Sequence, residues 1–350
     1  MKRQSPTFPP LHFSMVLVQR RSGSTPDSAS LLPPPPSPPP SLSLPLNKSA
    51  SMGVFYRVGK LFSLFFLMIY DCFCAFFSNI APIGYCTYKD ITGQIVLITG
   101  AANGLGRLLA IRLATKGATL VLWDRDEKGL ATTKEECERN EGCKVKVYTV
   151  DMLNRQSIAQ AADTVKREIG PVNLLINNAG VGIGGKLMEV AEDDIRKTID
   201  LNMMSHIWMA REFLPEMLSR DAGHIATVAS MGGIFVSAQD MIPYCASKFG
   251  AMAIQEGLEN EAASMGKHGV RFTTVCPAYF QSTLLDNLTT KLSMSVMTPE
   301  YVADATVDAI LREMRIVMIP RTMYLMYAIK GILPRRAISR FMVGQLRNSR

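Results

Sequence analysis

Seven short apolar runs recur between residues 91 and 320, and polar or turn residues follow the C-terminal end of each. They are Gln94–Thr99 before Gly100, Thr119–Trp123 before Asp124, Lys144–Val150 before Asp151, Val172–Ile176 before Asn177, His224–Ala229 before Ser230, Arg271–Cys276 before Pro277, and Ile316–Ile319 before Pro320. Continuous apolar runs of this length suit parallel strands covered on both faces. The segments starting at Glu127, Asn154, Ala191, Tyr244 and Thr298 are each long enough for a crossover helix. The pattern predicts an α/β chain with a single doubly wound parallel-sheet domain over about residues 91–320. In such a sheet, ligands bind where the strands end.

The first run leads into Thr-Gly-Ala-Ala-Asn-Gly-Leu-Gly at 99–106, and Leu105, Leu108, Leu109, Arg112 and Leu113 then share one helical face. Gly100, Gly104 and Gly106 therefore sit on a strand-to-helix turn. There the backbone can approach a pyrophosphate, and the helix N-terminus offers unpaired N–H groups. A glycine cluster alone also fits a plain tight turn. Asp124 closes the second run, where a carboxylate can accept hydrogen bonds from both ribose hydroxyls of an adenosine and repel a 2′-phosphate. That favours NAD over NADP, while the neighbouring Arg125 pulls the other way.

Tyr244 and Lys248 are four residues apart and so share one face of a helix. The same spacing occurs at Tyr56/Lys60 and Tyr85/Lys89, so it carries no weight alone. Only the third pair lies downstream of a glycine turn, an Asn-Asn-Ala-Gly strand end at 177–180 and the strand-end Ser230. An ammonium beside a phenol favours the phenolate, lowering a pKa that is about 10 unperturbed. The phenolate can then take the proton of an alcohol while its carbinol hydride passes to a nicotinamide.

In order and spacing, these motifs resemble those of the short-chain dehydrogenase/reductase superfamily, over about residues 91–320. Within it, the chain resembles the membrane-associated retinol and 17β-hydroxysteroid dehydrogenase branch, whose members reside on endoplasmic reticulum and lipid droplets. The resemblance implies a Rossmann domain in which Gly100, Asn103, Gly104, Leu105 and Gly106 bind the dinucleotide. It places Asp124 at the ribose, Asp151 at the adenine, Asn178, Ala179 and Gly180 at the central sheet, and Pro277 beside the nicotinamide. It also implies a tetrad of Asn202, Ser230, Tyr244 and Lys248, with Lys248 reaching the nicotinamide ribose and Asn202 holding a water in a proton relay. Asn103, where NADP-preferring members often carry a basic residue, again favours NAD. Two departures stand out. Ser230 precedes Tyr244 by one residue more than in many members, and Ala278 follows Pro277 where glycine is common. The hydroxyl at the nicotinamide amide is Ser282 or Thr283. A homodimer through the helices bearing Asn202 and Tyr244 is implied by resemblance alone.

The ends of the chain differ in kind. Residues 1–51 are rich in proline and serine, which predicts a disordered tail, and Met52 offers a second start site. Residues 52–90 form a hydrophobic segment in which Asp71 is the one charge between Lys60 and Lys89. It reads as a spanning helix tolerating Asp71, as a wedge in one leaflet suited to a flat membrane or lipid-droplet monolayer, or as a cleaved signal peptide. Residues 1–60 carry a net +6 and residues 321–350 a net +7, leaving −5 for the remainder of a chain of net +8. A basic excess confined to the ends disfavours nucleic-acid binding by the globular body. Residues 321–350 interleave their basic charges with apolar and aromatic residues, as membrane-surface helices do.

Seven scattered cysteines argue against a disulfide framework or metal site, and the four histidines form no ligand cluster. Cys245 reads as a small buried residue and His224 as structural. The apolar stretch from Ala278 to Met297 falls in the superfamily's variable substrate loop and would line a pocket for a long or polycyclic alcohol. The expected activity is NAD-dependent oxidation of a lipophilic alcohol, on the endoplasmic reticulum or a lipid droplet with the catalytic domain in the cytosol. The competing readings are a low-turnover droplet coat protein and a regulatory NAD sensor on the same fold.

Overall fold

In a computed structural model, the described residues are 88–236, 240–282, 296–334, 336 and 337, with Ser63 and Phe66. The chain divides into two units, Met1–Ile80 and Ala81–Arg350. The predicted tail and nearly all of the predicted membrane segment lie outside the described residues. No helix among the described residues is long and apolar enough to cross a membrane.

The second unit holds strands β1 (Ile95–Thr99), β2 (Thr119–Asp124), β3 (Lys144–Thr149), β4 (Leu174–Asn177), β5 (Gly223–Val228), β6 (Val270–Pro277) and β7 (Ile316–Ile319). All pair in parallel, in the order β3-β2-β1-β4-β5-β6-β7. The order reverses between β1 and β4, which opens a crevice at their C-terminal ends.

The helices are α1 (Gly104–Ala114), α2 (Glu127–Glu138), α3 (Arg155–Glu168), α4 (Glu192–Ile199), α5 (Ser205–Arg220), α6 (Ile242–Ser264), α7 (Pro299–Leu311) and α8 (Met323–Ile332). Successive strand residues point to opposite faces, and each face is sealed by a different set of helices. Val96, Ile98, Leu120 and Leu122 pack with Leu109 and Leu113 of α1 and Val302 and Ile310 of α7. Leu97, Val121 and Trp123 pack with Ile158 and Val165 of α3 and Phe213 and Met217 of α5. Burial of each such large side chain stabilises the fold by roughly 1.5–3 kcal/mol. Side-chain caps fix several helix starts: Asp126 accepts from Gly129 N, Asn154 from Gln156 N and Ser157 N, and Thr298 from Tyr301 N.

Between α4 and α5 the helix widens into a π turn at Asp200–Met204, a form that favours functional positions. The turn carries Asn202 inward, fully buried.

Candidate active site

The glycine turn is built by exclusion of side chains. Gly100 sits at φ +66°, and a Cβ there would lie 2.8 Å from the Ala179 Cα. A Cβ on Gly106 would lie 2.0 Å from the Gly100 carbonyl oxygen, so α1 packs directly on the turn. Asn178 locks this arrangement from β4: its Nδ2 donates to the carbonyls of Thr99 and Gly100, both at 3.0 Å. Thr99 answers from β1, its Oγ1 accepting from the N–H groups of Asn178 and Ala179, both at 3.1 Å. No side chain caps the N-terminus of α1, because Asn103 instead donates to Asp126 Oδ2 at 2.9 Å. The first N–H groups of α1 thus remain free to receive an anion.

At the end of β2 the Asp124 carboxylate is oriented by backbone, accepting from Ala102 N at 3.0 Å and Asp126 N at 3.1 Å. It lines the same cavity as Arg125 and Arg107. Arg107 is already paired with Glu136, which reduces its availability to a phosphate. Asp151 stands apart: it is exposed, lies off the cavity wall and accepts from Leu153 N at 3.0 Å.

Ser230 begins a short 3-10 turn (Met231–Gly233) after β5, and its Oγ accepts from Gly232 N at 2.9 Å. That bond leaves the hydroxyl proton free to point elsewhere, and Ser230 hydrogen-bonds the Tyr244 phenol. Lys248, one turn along α6, donates to the Val228 carbonyl at 2.9 Å and stands 5.8 Å from the centroid of the Tyr244 ring.

Burial, more than mutual attraction, governs both groups. The Tyr244 phenol is pushed up to about 12, with the Ser230 hydrogen bond acting against burial. The Lys248 amine is brought down to about 8, again by burial. The sequence led us to expect a phenol lowered by its ammonium neighbour; instead the dry setting makes both charges costly.

Asn202 lies behind this pair. Its Oδ1 accepts from Val181 N at 2.8 Å, while its Nδ2 donates to Val181 O at 2.8 Å and Ser247 Oγ at 3.0 Å. Both amide hydrogens are therefore committed to protein, and the residue ties the β4 exit to α6. Gly180 lies between them, where a Cβ would come 3.1 Å from Asn202 Oδ1 and 3.5 Å from Lys248 Nζ.

A single cavity of about 790 Å³ joins these features. Its wall includes Gly100, Asn103, Gly104, Leu105, Gly106, Asp124, Asn178, Ala179, Gly180, Ser230, Tyr244, Lys248 and Pro277. Met231, Met241, Ala278, Tyr279 and Phe280 add apolar surface near the reacting groups. Ser282 also lines it, whereas Thr283 and the following residues to 295 lie outside the described residues. Lys89, the partner in a decoy Tyr/Lys spacing, sits elsewhere and pairs with Glu313 at 3.8 Å.

Cys245 is buried, as its small size suggested. His224 is also buried, and its Nε2 contacts Thr273 Oγ1 at 2.9 Å. Sequence reasoning missed Thr99, Asp126 and His206. His206 is buried one helical turn after Asn202 and is held down to about 3, by burial and then by the charge of Lys248. The Asn-to-His spacing of four was the available signal for it.

Comparison with known proteins agrees with this geometry. The family model for short chain dehydrogenase matches residues 94–293. The chain is 36% identical over 248 residues to mouse (Mus musculus) epidermal retinol dehydrogenase 2, covering 70% of this chain and 80% of the relative. It is 39% identical over 251 residues to estradiol 17-beta-dehydrogenase 11 of Pongo abelii, covering 72% and 83%. A short chain dehydrogenase/reductase from Burkholderia phymatum, solved in complex with NAD, superposes with a TM-score of 0.62 at 28% identity, covering 68% of this chain and 93% of that one. The chain belongs to the short-chain dehydrogenase family, in the branch of the retinol and 17β-hydroxysteroid dehydrogenases.

Proposed function

We propose that this protein is a membrane-associated dehydrogenase that uses NAD to oxidise the hydroxyl carbon of a lipophilic alcohol, of retinoid or steroid type. The observation that carries the reading is the meeting of Ser230, Tyr244 and Lys248 with the glycine turn in one cavity. The bound dinucleotide supplies a hydride acceptor and, in oxidised form, a positive charge at the nicotinamide.

The protein's own residues do the rest. Ser230 holds the substrate oxygen beside the phenol. Burial alone keeps Tyr244 protonated; the Lys248 ammonium, together with the positive charge a bound nicotinamide would bring, offsets it, so that Tyr244 takes the hydroxyl proton as general base. Lys248 compensates the phenolate charge in a site too dry for water to do so. Asn202 is a positioning residue, fixing Gly180 and Val181 against α6 so that Lys248 keeps its place. The free N–H groups of α1 receive the pyrophosphate and Asp124 the adenosine ribose, which favours NAD over NADP. Asp151 is assigned to the adenine end of the dinucleotide, its Oδ1 oriented by Leu153 N.

The substrate class is supported by the apolar wall at Met231, Met241, Tyr279 and Phe280, and by the names of the retinol and estradiol dehydrogenases that the chain resembles. Residence on the endoplasmic reticulum or a lipid droplet, with the catalytic domain in the cytosol, is supported by the apolar run before residue 90 and the basic ends. Homodimerisation through the helices bearing Asn202 and Tyr244 completes the proposal.

The test is to incubate the full-length protein in membranes with NAD or NADP and a panel of retinoid, steroid and fatty alcohols. Nucleotide reduction with at least one apolar alcohol, faster with NAD, is the expected result. Reduction with none of them, or only with small polar alcohols, would defeat the reading.

A further inference from the structure

The groups proposed to carry the reaction stand on two separate elements, the turn that follows β5 and the helix α6, and a third element grips both. Lys330 projects from α8 and donates its Nζ to the Ile234 carbonyl. The same ammonium lies 5.4 Å from the centroid of the Phe235 ring and 5.0 Å from that of Phe249. Phe235 ends the segment that begins at Ser230, and Phe249 directly follows Lys248. One cation therefore sits between two aromatic faces, each next to a different part of the reacting pair.

The connection from Lys330 to the serine hydroxyl is short. Gly233 N donates to Ser230 O at 2.9 Å, and Ile234 N and Phe235 N donate to Met231 O at 3.0 and 2.8 Å. Within that turn, Gly232 N orients the Ser230 hydroxyl. The turn lies close against α6: a Cβ on Gly233 would fall 2.7 Å from the Lys248 carbonyl oxygen. A rotation of the turn would therefore move Ser230 relative to Tyr244. Tyr324 anchors α8 on the other side, its hydroxyl donating to Ile316 O of β7 at 2.9 Å. Met323, Tyr324 and Met326 pack on the cluster formed by Ala229, Met231, Ile234 and Phe235.

We infer that Lys330 is a positioning residue for the reaction, clamping the serine turn to the tyrosine helix from the C-terminal helix. The inference takes the meaning of Ser230 and Tyr244 from the proposed function, but the clamp itself is a separate physical claim. It assigns the basic C-terminal segment a role inside the catalytic domain, in addition to any role at a membrane surface.

The experiment compares full-length wild type, Lys330→Met, Lys330→Arg and Phe249→Leu. Backbone hydrogen exchange is read in the 230–236 turn, in α8 and at Gly100–Gly106, alongside kcat and KM for alcohol and nucleotide. Lys330→Met should speed exchange in the turn by about tenfold and lower kcat by a similar factor. Exchange at the glycine turn and KM for nucleotide should stay unchanged. Lys330→Arg should restore both kcat and protection, because a guanidinium keeps the cation and its donors. Phe249→Leu should show a weaker form of the same pattern, and it decides the matter if Lys330→Met does not fold. In a Ser230→Ala background the kcat effect of Lys330→Met should disappear. Exchange that rises only in α8, or an unchanged kcat in an active enzyme, would overturn the inference. A wild type that oxidises no alcohol would defeat the proposed function, and the exchange data would still decide whether the clamp exists.

Discussion

Replacing Lys248 with methionine should stabilise this protein at neutral pH while disabling it. The amine is buried, and its pKa falls from an ordinary 10.5 to about 8 because burial penalises the ammonium. At ~1.4 kcal/mol per pKa unit, keeping that proton costs the folded state about 3 kcal/mol. The folded protein binds the proton less tightly than the unfolded chain does. The cost is therefore present in full below pH 8 and fades as pH rises from about 8 toward 10.5. Methionine removes the charge at similar length but leaves the Val228 carbonyl without its 2.9 Å donor, a loss of about 1 kcal/mol. The variant should then be about 2 kcal/mol more stable than wild type at pH 7 and about 1 kcal/mol less stable near pH 10.5. Urea unfolding at both pH values, followed through the fluorescence of Trp123 and Trp208, measures the difference. A gap that keeps one sign and size across that range would refute the argument. It would mean that the ammonium is not held at the expense of stability.

Other expectations concern the nucleotide half of the cavity and the support behind it. Gly106→Ala should abolish nucleotide binding measured by calorimetry, because its Cβ would lie 2.0 Å from the Gly100 carbonyl oxygen. Asp124→Ala should weaken NAD binding by about tenfold and narrow the preference over NADP, since it removes the ribose acceptor. Titration of both nucleotides would show this. Asn202→Ala strips three hydrogen bonds between the β4 exit and α6, and should lower kcat by more than it alters KM for nucleotide in steady-state assays.

The sheet was legible because burial on both faces leaves a simple trace. The seven apolar runs correspond to β1–β7, with no end differing by more than two residues. At β4 the run begins at Val172 and the strand at Leu174, because the Asn173 side chain is used to accept from Ile95 N at 2.9 Å. The site was legible for a different reason: polar residues at strand ends converge wherever a parallel sheet reverses its order.

What escaped the sequence depends on tertiary contacts. Nothing local marks Asp200–Met204 as a π turn, since the widening accompanies hydrogen bonds from Asn202 to Val181 and Ser247. The attachment of Lys330 to Ile234 spans 96 residues and carries no motif. Asp124 and Asp151 both close strands, and the sequence does not tell that Asp124 lines the cavity while Asp151 lies off its wall. The protonation of Tyr244 also went unread, because spacing reports which charges are neighbours and not how dry their setting is.

The most direct test of the central claim is the rate of alcohol oxidation by Tyr244→Phe in the full-length protein, with nucleotide affinity measured on the same preparation. Losing only the phenolic oxygen should lower kcat by about 10²- to 10⁴-fold while NAD binds as before. A variant that still oxidises its alcohol at a rate near that of wild type would show that the proton leaves by another route, and the account would be wrong.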